Sequence, residues 1–426
     1  MEPTRDLTDP RQNEAVLESA SALLADGGAD VPAAVAAEAR AVADSRRRLA
    51  ALDGPVHLTV VWAMYGETGR MATREEHPHG EDFVRVKVRQ LDWLTAGLPQ
   101  VTWSILAVDD GCPDQPSSAE TMASIAAAEG YPTGGHRSVS VLRLADVLAA
   151  DPSTGPAYSA EFRALTSPDE SRKGGSILVG LATAVAVGPG AGRHVVCYTD
   201  ADLSANLAML GSLVAPIVLG GAVAAAGQRY GMPGAVLVKA DGPSVEPRST
   251  GDKPDKLIVL FRHVVRAMLV PDLAHVVDTQ AGFKAFDAAA VGPVLSRMTS
   301  FNETFDVELL VLLARAHGPQ ALAVEPIVFT EDFAATHFPS VDPGPRHLAM
   351  VEQVVALYDR LVAPVTPATG EAAQLLDLLR TLDLDGYVRL IEQLRAEDHD
   401  DPTLFDRRWP VEHLRGILAT EGADPR

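Results

Sequence analysis

The sequence predicts an α/β fold, in which a mixed, mostly parallel sheet is flanked by helices. Two observations carry this prediction. Short β-branched and aromatic runs typical of buried strands alternate with helical segments over residues 56–330. Acidic pairs come directly after two of these runs, at Asp109 and Asp110 and at Asp200 and Asp202. Because open α/β sheets bind ligands beyond the carboxyl ends of their strands, the acidic pairs indicate where a site lies.

The sequence predicts that the chain is divided into three parts. Residues 1–52 form a helical N-terminal extension, residues 53–340 the α/β domain, and residues 341–426 a helical C-terminal extension. The predicted strands are 56–65, 104–108, 139–142, 195–198, 222–228 and 323–330. The predicted helices are 83–94, 120–129, 177–187, 205–214, 257–269, 347–362, 372–382 and 387–396. Residues 68–82, 151–170 and 240–256 are predicted loops.

Composition excludes some classes of partner. The formal net charge of −21 disfavours nucleic acid and anionic membrane surfaces. Cys112 and Cys197 are the only cysteines, which indicates a reducing compartment. The most apolar stretch, 210–227, is interrupted by Pro216 and by paired glycines, so no transmembrane segment is expected. We expect a cytoplasmic protein, with homo-oligomerisation possible.

The central motif follows the strand at 195–198. Asp200 and Asp202 are two residues apart, and side chains at this spacing on an extended chain point the same way. Two carboxylates leaving a buried strand together repel each other unless a positive group lies between them. Mg²⁺ or Mn²⁺ is a suitable partner, since such a cation binds one or two carboxylates together with water and substrate phosphate oxygens. A strand-end turn capped by the two side chains is the alternative.

A second motif opens the helix at 177–187. Lys173, Gly174 and Gly175 precede it. Glycines before a helix expose backbone N–H groups, the helix dipole favours an anion there, and lysine adds a point charge for a phosphate. The segment lacks the spacing of a P-loop.

Other candidates follow later strands and helices. Arg229 ends the strand at 222–228, and Asp306 and Glu308 begin an apolar helix, where they are either helix caps or a base directed into the cleft. His337 follows the last strand and is a candidate third metal ligand. His77 and His79 lie on a charged loop, where a metal site is not favoured.

Together these segments resemble the GT-A-fold glycosyltransferases of family two, most closely the dolichyl-phosphate glucosyltransferase and polyprenyl-phosphate glycosyltransferase branch. The resemblance covers roughly residues 56–335. The corresponding segments are Trp-Ala-Met-Tyr-Gly-Glu at 62–67, which lacks the Pro and Asn of the family, Val-Asp-Asp-Gly-Cys at 108–112, Lys-Gly-Gly-Ser at 173–176, Asp-Ala-Asp-Leu-Ser at 200–204, Asp-Thr-Gln-Ala-Gly-Phe-Lys at 278–284, with Ala281 for Cys, and Phe-Asp-Val-Glu-Leu-Leu at 305–310.

The resemblance implies a GT-A fold, a nucleotide-sugar donor and a metal-dependent sugar transfer. The implied metal ligands are Asp200 and Asp202, with His337 as a candidate third, and the implied base is Asp306 or Glu308. The residues implied to contact the donor or to shape its cleft are Tyr65, Glu67, Asp109, Asp110, Lys173, Gly174, Gly175, Asp200, Ala201, Arg229, Gln280, Gly282 and Lys284.

Several alternatives stay open. The acceptor is either a small molecule or a polyprenyl phosphate, and a UDP-sugar is favoured as the donor. Direct displacement would invert the anomeric centre, whereas a retaining enzyme with a phosphoglycerate-type acceptor is the alternative. A sugar nucleotidyltransferase would need a glycine-rich loop after the first strand, which 62–67 lacks. A domain kept only for binding nucleotide sugars is the non-enzymatic alternative.

Overall fold

The computed structural model describes residues 6–27, 29–151, 154–188, 192–240, 248–249, 273, 275–332, 344–396 and 409–419. The chain divides into two compact units, and each is described by itself. The first contains residues 1–251 and 280–337, and the second contains residues 252–279 and 338–426. The predicted helix at 257–269 and the candidate ligand His337 lie outside the described residues.

Seven strands of the described chain form the main sheet of the first unit. They are β1 (Val56–Met64), β2 (Val101–Asp109), β3 (Ser138–Arg143), β4 (Arg193–Thr199), β5 (Ala224–Gln228), β8 (Phe283–Asp287) and β9 (Leu322–Pro326). Their order is β3-β2-β1-β4-β8-β5-β9. Only β8 runs antiparallel to its neighbours. The expected mixed, mostly parallel sheet is therefore confirmed.

A smaller sheet of three described strands has the order β10-β6-β7, formed by β6 (Val236–Ala240), β7 (Arg248–Ser249) and β10 (Val328–Asp332). The single strand expected at 323–330 is thus two strands in two sheets. The chain changes sheet at Ile327, immediately after Pro326, which has no N–H to continue a ladder.

Helices cover both faces of the main sheet. In the first unit they are α1 (Pro10–Ala25), α2 (Ala33–Ala50), α3 (Thr68–Met71), α4 (Phe83–Thr95), α5 (Ser118–Ala128), α6 (Leu144–Ala149), α7 (Ala160–Arg163), α8 (Arg172–Val187), α9 (Leu210–Val218), α10 (Ala288–Leu295) and α11 (Phe305–His317). Helix α8 packs closely on β1, because a Cβ at Gly180 would lie 2.3 Å from Cγ1 of Val61. This contact holds the middle of α8 against β1 and β2.

The N-terminal helices α1 and α2 are packed into the first unit through buried polar contacts. Nδ2 of Asn206 donates to Oε1 of Glu38 at 2.8 Å, which ties α2 to the chain after β4. Nε2 of Gln90 donates to Oδ1 of Asn13 at 2.7 Å, and Oε1 of Gln90 accepts the N–H of Leu207 at 2.9 Å. These contacts hold the segment that follows the Asp200–Asp202 motif.

The described part of the second unit is helical, as expected for the C-terminal region. Its helices are α12 (Gly344–Leu357), a π-helical turn (Tyr358–Val362), α13 (Glu371–Arg380), α14 (Leu384–Ala396) and α15 (Val411–Ala419). Leucines form its core, among them Leu375, Leu379, Leu390 and Leu414, which are buried. Within the described residues, no helix combines the length and the apolar character needed to span a bilayer.

Candidate functional site

The site lies at the carboxyl ends of β1, β2 and β4. The sheet order reverses at β1, because β2 and β3 lie on one side of it and β4 lies on the other. In open α/β sheets such a reversal leaves a crevice above the strand ends, and ligands bind there. Asp200 directly follows β4 at this crevice, and Lys173 reaches it from the first turn of α8.

The Asp200 carboxylate is held from two sides. Nζ of Lys173 donates to its Oδ1, and the side chain of Lys173 is 48% exposed. On the other side, a Cβ added to Gly282 would lie 2.4 Å from Oδ2 of Asp200, so a larger residue there would displace this carboxylate. Burial acts to raise the pKa of Asp200, but the charge and hydrogen bond of Lys173 hold it below its usual value. Asp200 is therefore an anion with a cation already beside it.

The Asp202 carboxylate uses its two oxygens differently. Oδ1 accepts hydrogen bonds from the backbone N–H of Ser204 at 3.0 Å and from the Ser204 hydroxyl. Oδ2 lies 3.3 Å from Nη1 of Arg70. The strand-end turn considered as an alternative is therefore present at Asp202, although it occupies only one of the two oxygens.

The polar insertion at 68–82 contributes two buried side chains to this centre. Arg70 on α3 contacts Asp202 and lies 3.4 Å from Oε1 of Glu81. Oε2 of Glu81 accepts the N–H of Leu203, next to Asp202, at 2.8 Å. Burial, together with the nearby charge of Asp202, raises the pKa of Glu81 to about 8. The insertion thus holds the Asp200–Asp202 motif from outside the sheet, a role that its sequence did not predict.

Lys87 is a third residue that the prediction missed. It lies on α4, and its side chain is completely buried. A signal for its position exists in the sequence, because Lys87 is four residues from both Phe83 and Leu91 and so shares their apolar face. Arg70 and Glu81 have no comparable signal, since their loop shows no periodic pattern.

The donor groups at the tip of β4 suit a hard divalent cation. Asp200 and Asp202 offer carboxylate oxygens, which are the ligands that Mg²⁺ and Mn²⁺ prefer. The ammonium of Lys173 already stands at Asp200, and it is exposed enough to move away. The described residues contain no group of three or more His, Cys, Asp or Glu side chains able to hold a metal. The two carboxylates would hold such an ion only with oxygens from water and a bound phosphate.

Helix α8 begins five residues earlier than expected, at Arg172. Gly174 and Gly175 therefore lie inside the helix instead of before it. A Cβ at Gly174 would lie 2.4 Å from the carbonyl oxygen of Phe301, and one at Gly175 would lie 1.9 Å from Oγ of Ser171. Close packing accounts for both glycines. Ser171 occupies the N-cap position of α8, and its side chain forms no capping hydrogen bond to the helix.

Asp109 and Asp110 have different surroundings. The carboxylate of Asp109 accepts backbone N–H groups of Gly111 at 3.0 Å, Cys112 at 2.8 Å and Ala119 at 2.9 Å. These bonds shape the turn after β2. Oδ1 of Asp110 accepts the hydroxyl of Ser176 at 2.7 Å, and burial raises the pKa of Asp110 to about 7. Asp109 is thus occupied by its own loop, whereas Asp110 connects β2 to α8.

Asp306, a candidate base, is buried in a polar network. Its Oδ1 accepts Nε2 of Gln280 at 2.7 Å and the N–H of Val307 at 2.9 Å, and its Oδ2 lies 3.4 Å from Nζ of Lys284. Lys284 also donates to the Tyr198 hydroxyl at 2.9 Å. Burial raises the pKa of Asp306. This geometry suits orienting Gln280 better than accepting a substrate proton.

Glu308, the other candidate base, is fully buried. Its carboxylate accepts the N–H and hydroxyl of Thr299, at 3.1 Å and 2.7 Å, and the N–H of Ser300 at 2.5 Å. Its contacts are those of a residue that holds the loop at 299–300.

The remaining candidates lie around this centre. Tyr65 follows β1 and is 47% exposed. Burial raises the pKa of Glu67 to about 7, and its Oε2 lies 3.5 Å from Nη1 of Arg70. Ala201 is buried between the two aspartates. The Arg229 guanidinium lies 5.0 Å from the centre of the Phe329 ring, and its charge lowers the pKa of Asp200.

Comparison with known proteins gives no relative for this chain: no family model matches it, and no curated protein matches its sequence.

Proposed function

We propose that this protein is a metal-dependent glycosyltransferase of the GT-A class, which moves a sugar from a nucleotide-sugar donor to an acceptor. The observation that carries the proposal is the pair Asp200 and Asp202 at the crevice of the sheet, with the exchangeable ammonium of Lys173 on Asp200. A mixed sheet of this kind with helices on its faces is what the resemblance requires.

The surroundings of Asp200 support binding of a diphosphate. Lys173, in the first turn of α8, donates to the Asp200 carboxylate, so the N-terminus of this helix lies near the tip of β4. A nucleoside diphosphate would find at this edge a lysine, a helix N-terminus and, through Asp200 and Asp202, a place for a divalent cation. The bound cation would offset the negative charge that develops on the leaving diphosphate.

The residues of the chain assist departure of the diphosphate in two ways. Lys173 can leave Asp200 and donate to a phosphate oxygen, because its side chain is half exposed. Arg70 and Glu81 hold Asp202 and Leu203, so the motif keeps its geometry as the charge moves.

The acceptor side is organised by Gln280. Asp306 holds its amide from the buried side, through the 2.7 Å bond from Nε2 of Gln280, and Lys284 in turn pairs with Asp306. The carbonyl oxygen of Gln280 is then the group available to accept a hydroxyl of the sugar or of the acceptor. We propose that Asp306 positions Gln280, and that the acceptor is a small molecule or a lipid phosphate.

A non-catalytic nucleotide-sugar-binding domain is the second candidate. It is favoured by the burial of Asp306 and Glu308, which leaves both candidate bases bonded to other protein groups. Catalysis separates the two candidates, since the enzyme releases the nucleoside diphosphate from its donor and the binding domain does not.

The test is a thermal-shift panel of UDP-, GDP- and dTDP-sugars, with and without Mn²⁺. We expect one nucleotide to raise the melting temperature in the presence of Mn²⁺ and Asp202→Ala to abolish that rise. Asp53→Asn is the matched control, because Asp53 is exposed and remote from the strand ends. No shift with any nucleotide and metal would overturn the proposal, and NMR of the product assigns inversion or retention.

A further inference from the structure

Lys87 is a buried cation without a hydrogen-bond partner. Its side chain is 0% exposed, and Nζ forms no hydrogen bond within the described part of the chain. Nζ lies 5.6 Å from the centre of the Trp62 ring, on the strand that leads to the crevice. A buried ammonium without hydrogen bonds is costly, so it persists only where surrounding charges compensate for it.

The compensating charges belong to the candidate metal centre. The carboxylates of Asp202 and Asp200, in this order, favour the charged form of Lys87, and Glu81 does so when it is ionised. Burial lowers the pKa of Lys87 to about 8, which leaves it mostly cationic at neutral pH. In turn, the charge of Lys87 helps to lower the pKa of Asp200.

The two strand-end carboxylates therefore have several cationic neighbours. Lys173 is half exposed and can move away when a ligand arrives. Arg70 and Lys87 are buried and cannot. A divalent cation that arrives alone meets carboxylates that are already compensated. A diphosphate that binds together with the cation adds negative charge to the site. This negative charge balances the two positive charges of the cation.

We propose that Lys87 couples the binding of the divalent cation to the binding of the nucleoside diphosphate. Its fixed charge weakens the binding of the cation alone and leaves the binding of the cation with the diphosphate strong. The inference rests on the proposed function, since it assigns the cation and the diphosphate to the Asp200–Asp202 site. By thermodynamic linkage, the factor by which the diphosphate strengthens cation binding equals the factor by which the cation strengthens diphosphate binding.

The coupling would make metal binding depend on arrival of the donor. The centre at β4 would stay free of metal until the donor arrives, so Asp200 keeps its bond to Lys173 in the resting protein. Lys173 is then released to the phosphate in the same event that brings in the cation. Lys87 acts through the charge of the site and touches neither the donor nor the acceptor.

The experiment measures Mn²⁺ binding by electron paramagnetic resonance, with and without UDP or GDP. The variants are Lys87→Met and Lys87→Gln, whose side chains are unbranched at Cβ, one atom shorter than that of lysine, and uncharged. Neither loses a hydrogen bond, so both are expected to fold, and either one carries the test. Arg137→Met is the matched control, because it removes a cation that pairs with Asp92 on the surface.

We expect both variants to bind Mn²⁺ alone about tenfold or more tightly than the wild type, a size set by charge interactions at short range. The factor by which UDP or GDP strengthens Mn²⁺ binding should fall by the same amount, while Arg137→Met leaves both quantities unchanged. Equal Mn²⁺ affinities of the wild type and both variants would overturn the inference. Mn²⁺ binding that survives Asp202→Asn unchanged would instead overturn the proposed function.

Discussion

A Cβ on Gly282 would lie 2.4 Å from Oδ2 of Asp200. The residue that directly precedes β8 therefore limits where the carboxylate of this candidate metal ligand can lie. Gly282 has no positive φ, so alanine is conformationally allowed there and only the contact opposes it. The Gly282→Ala variant should therefore fold and displace the Asp200 carboxylate.

For Gly282→Ala we expect nucleoside diphosphate affinity in Mn²⁺ to fall at least about tenfold, because a ligand moved by about 1 Å loses its geometry. Isothermal titration calorimetry of the nucleoside diphosphate in Mn²⁺ measures this affinity. Gly134→Ala is the matched control, since a Cβ there meets nothing within 4 Å. If Gly282→Ala bound the nucleoside diphosphate with unchanged affinity, Asp200 would not contribute to the proposed donor site.

Lys173 is expected to exchange its bond to Asp200 for one to a phosphate oxygen. Because a hydrogen bond to a charged group contributes about 1.5–3 kcal/mol, Lys173→Met should weaken binding of the nucleoside diphosphate by about ten- to a hundredfold. Binding of the nucleoside alone should not change. Lys173→Arg keeps the charge and should retain most of the affinity. If Lys173→Met weakened the nucleoside and the diphosphate equally, the lysine would not act on phosphate.

Lys284 and Asp306 form a buried pair, which predicts a non-additive effect on stability. Each single variant, Lys284→Met or Asp306→Asn, leaves one buried group without its charged partner and should cost about 3–5 kcal/mol of the free energy of unfolding. The double variant should cost less than the sum of the two. Urea denaturation of the four proteins measures this coupling. Additive losses would show that the pair does not act as a unit.

Glu81 predicts a dependence of stability on pH. Its pKa is raised from an ordinary value of 4.5 to about 8 in the folded protein. Between these values the folded state binds a proton that the unfolded state has released. The contribution of Glu81 is therefore fully present below pH 4.5 and is lost as the pH rises towards 8.

The neutral variant Glu81→Gln should lack this dependence. The free energy of unfolding of Glu81→Gln minus that of the wild type should rise from pH 5 to pH 8, by at most about 1.4 kcal/mol per pH unit. Urea titrations across this range test it, with Glu76→Gln as an exposed control. A difference that stays constant with pH would mean that Glu81 is ionised throughout.

The sequence predicts the strands β1, β2, β3, β4 and β5 well, because their apolar and β-branched runs are buried and end at turn residues. It also places Asp200 and Asp110 at strand ends, since the carboxyl ends of parallel strands share one edge of a sheet. Strand β8 escapes prediction. Its short run at 283–287 contains Lys284, which turns inward to a buried aspartate.

The contacts of the site were less predictable than its position. The spacing of Asp306 and Glu308 does not show that one carboxylate holds Gln280 and the other holds Thr299. The loop at 68–82 gives no sign that Arg70 reaches Asp202, 132 residues further along the chain. Such pairings depend on tertiary packing, and a single sequence carries no periodic pattern that records them.

The role of the Asp200–Asp202 site is tested most directly by a calorimetric titration of UDP and of GDP, in saturating Mn²⁺, into the wild type, Asp202→Asn and the exposed control Asp53→Asn. We expect one nucleotide to bind the wild type and Asp53→Asn with equal affinity, and Asp202→Asn to weaken this binding at least about a hundredfold, as expected for loss of a charged ligand. Equal affinity for all three proteins, or no binding of either nucleotide to the wild type, would contradict it.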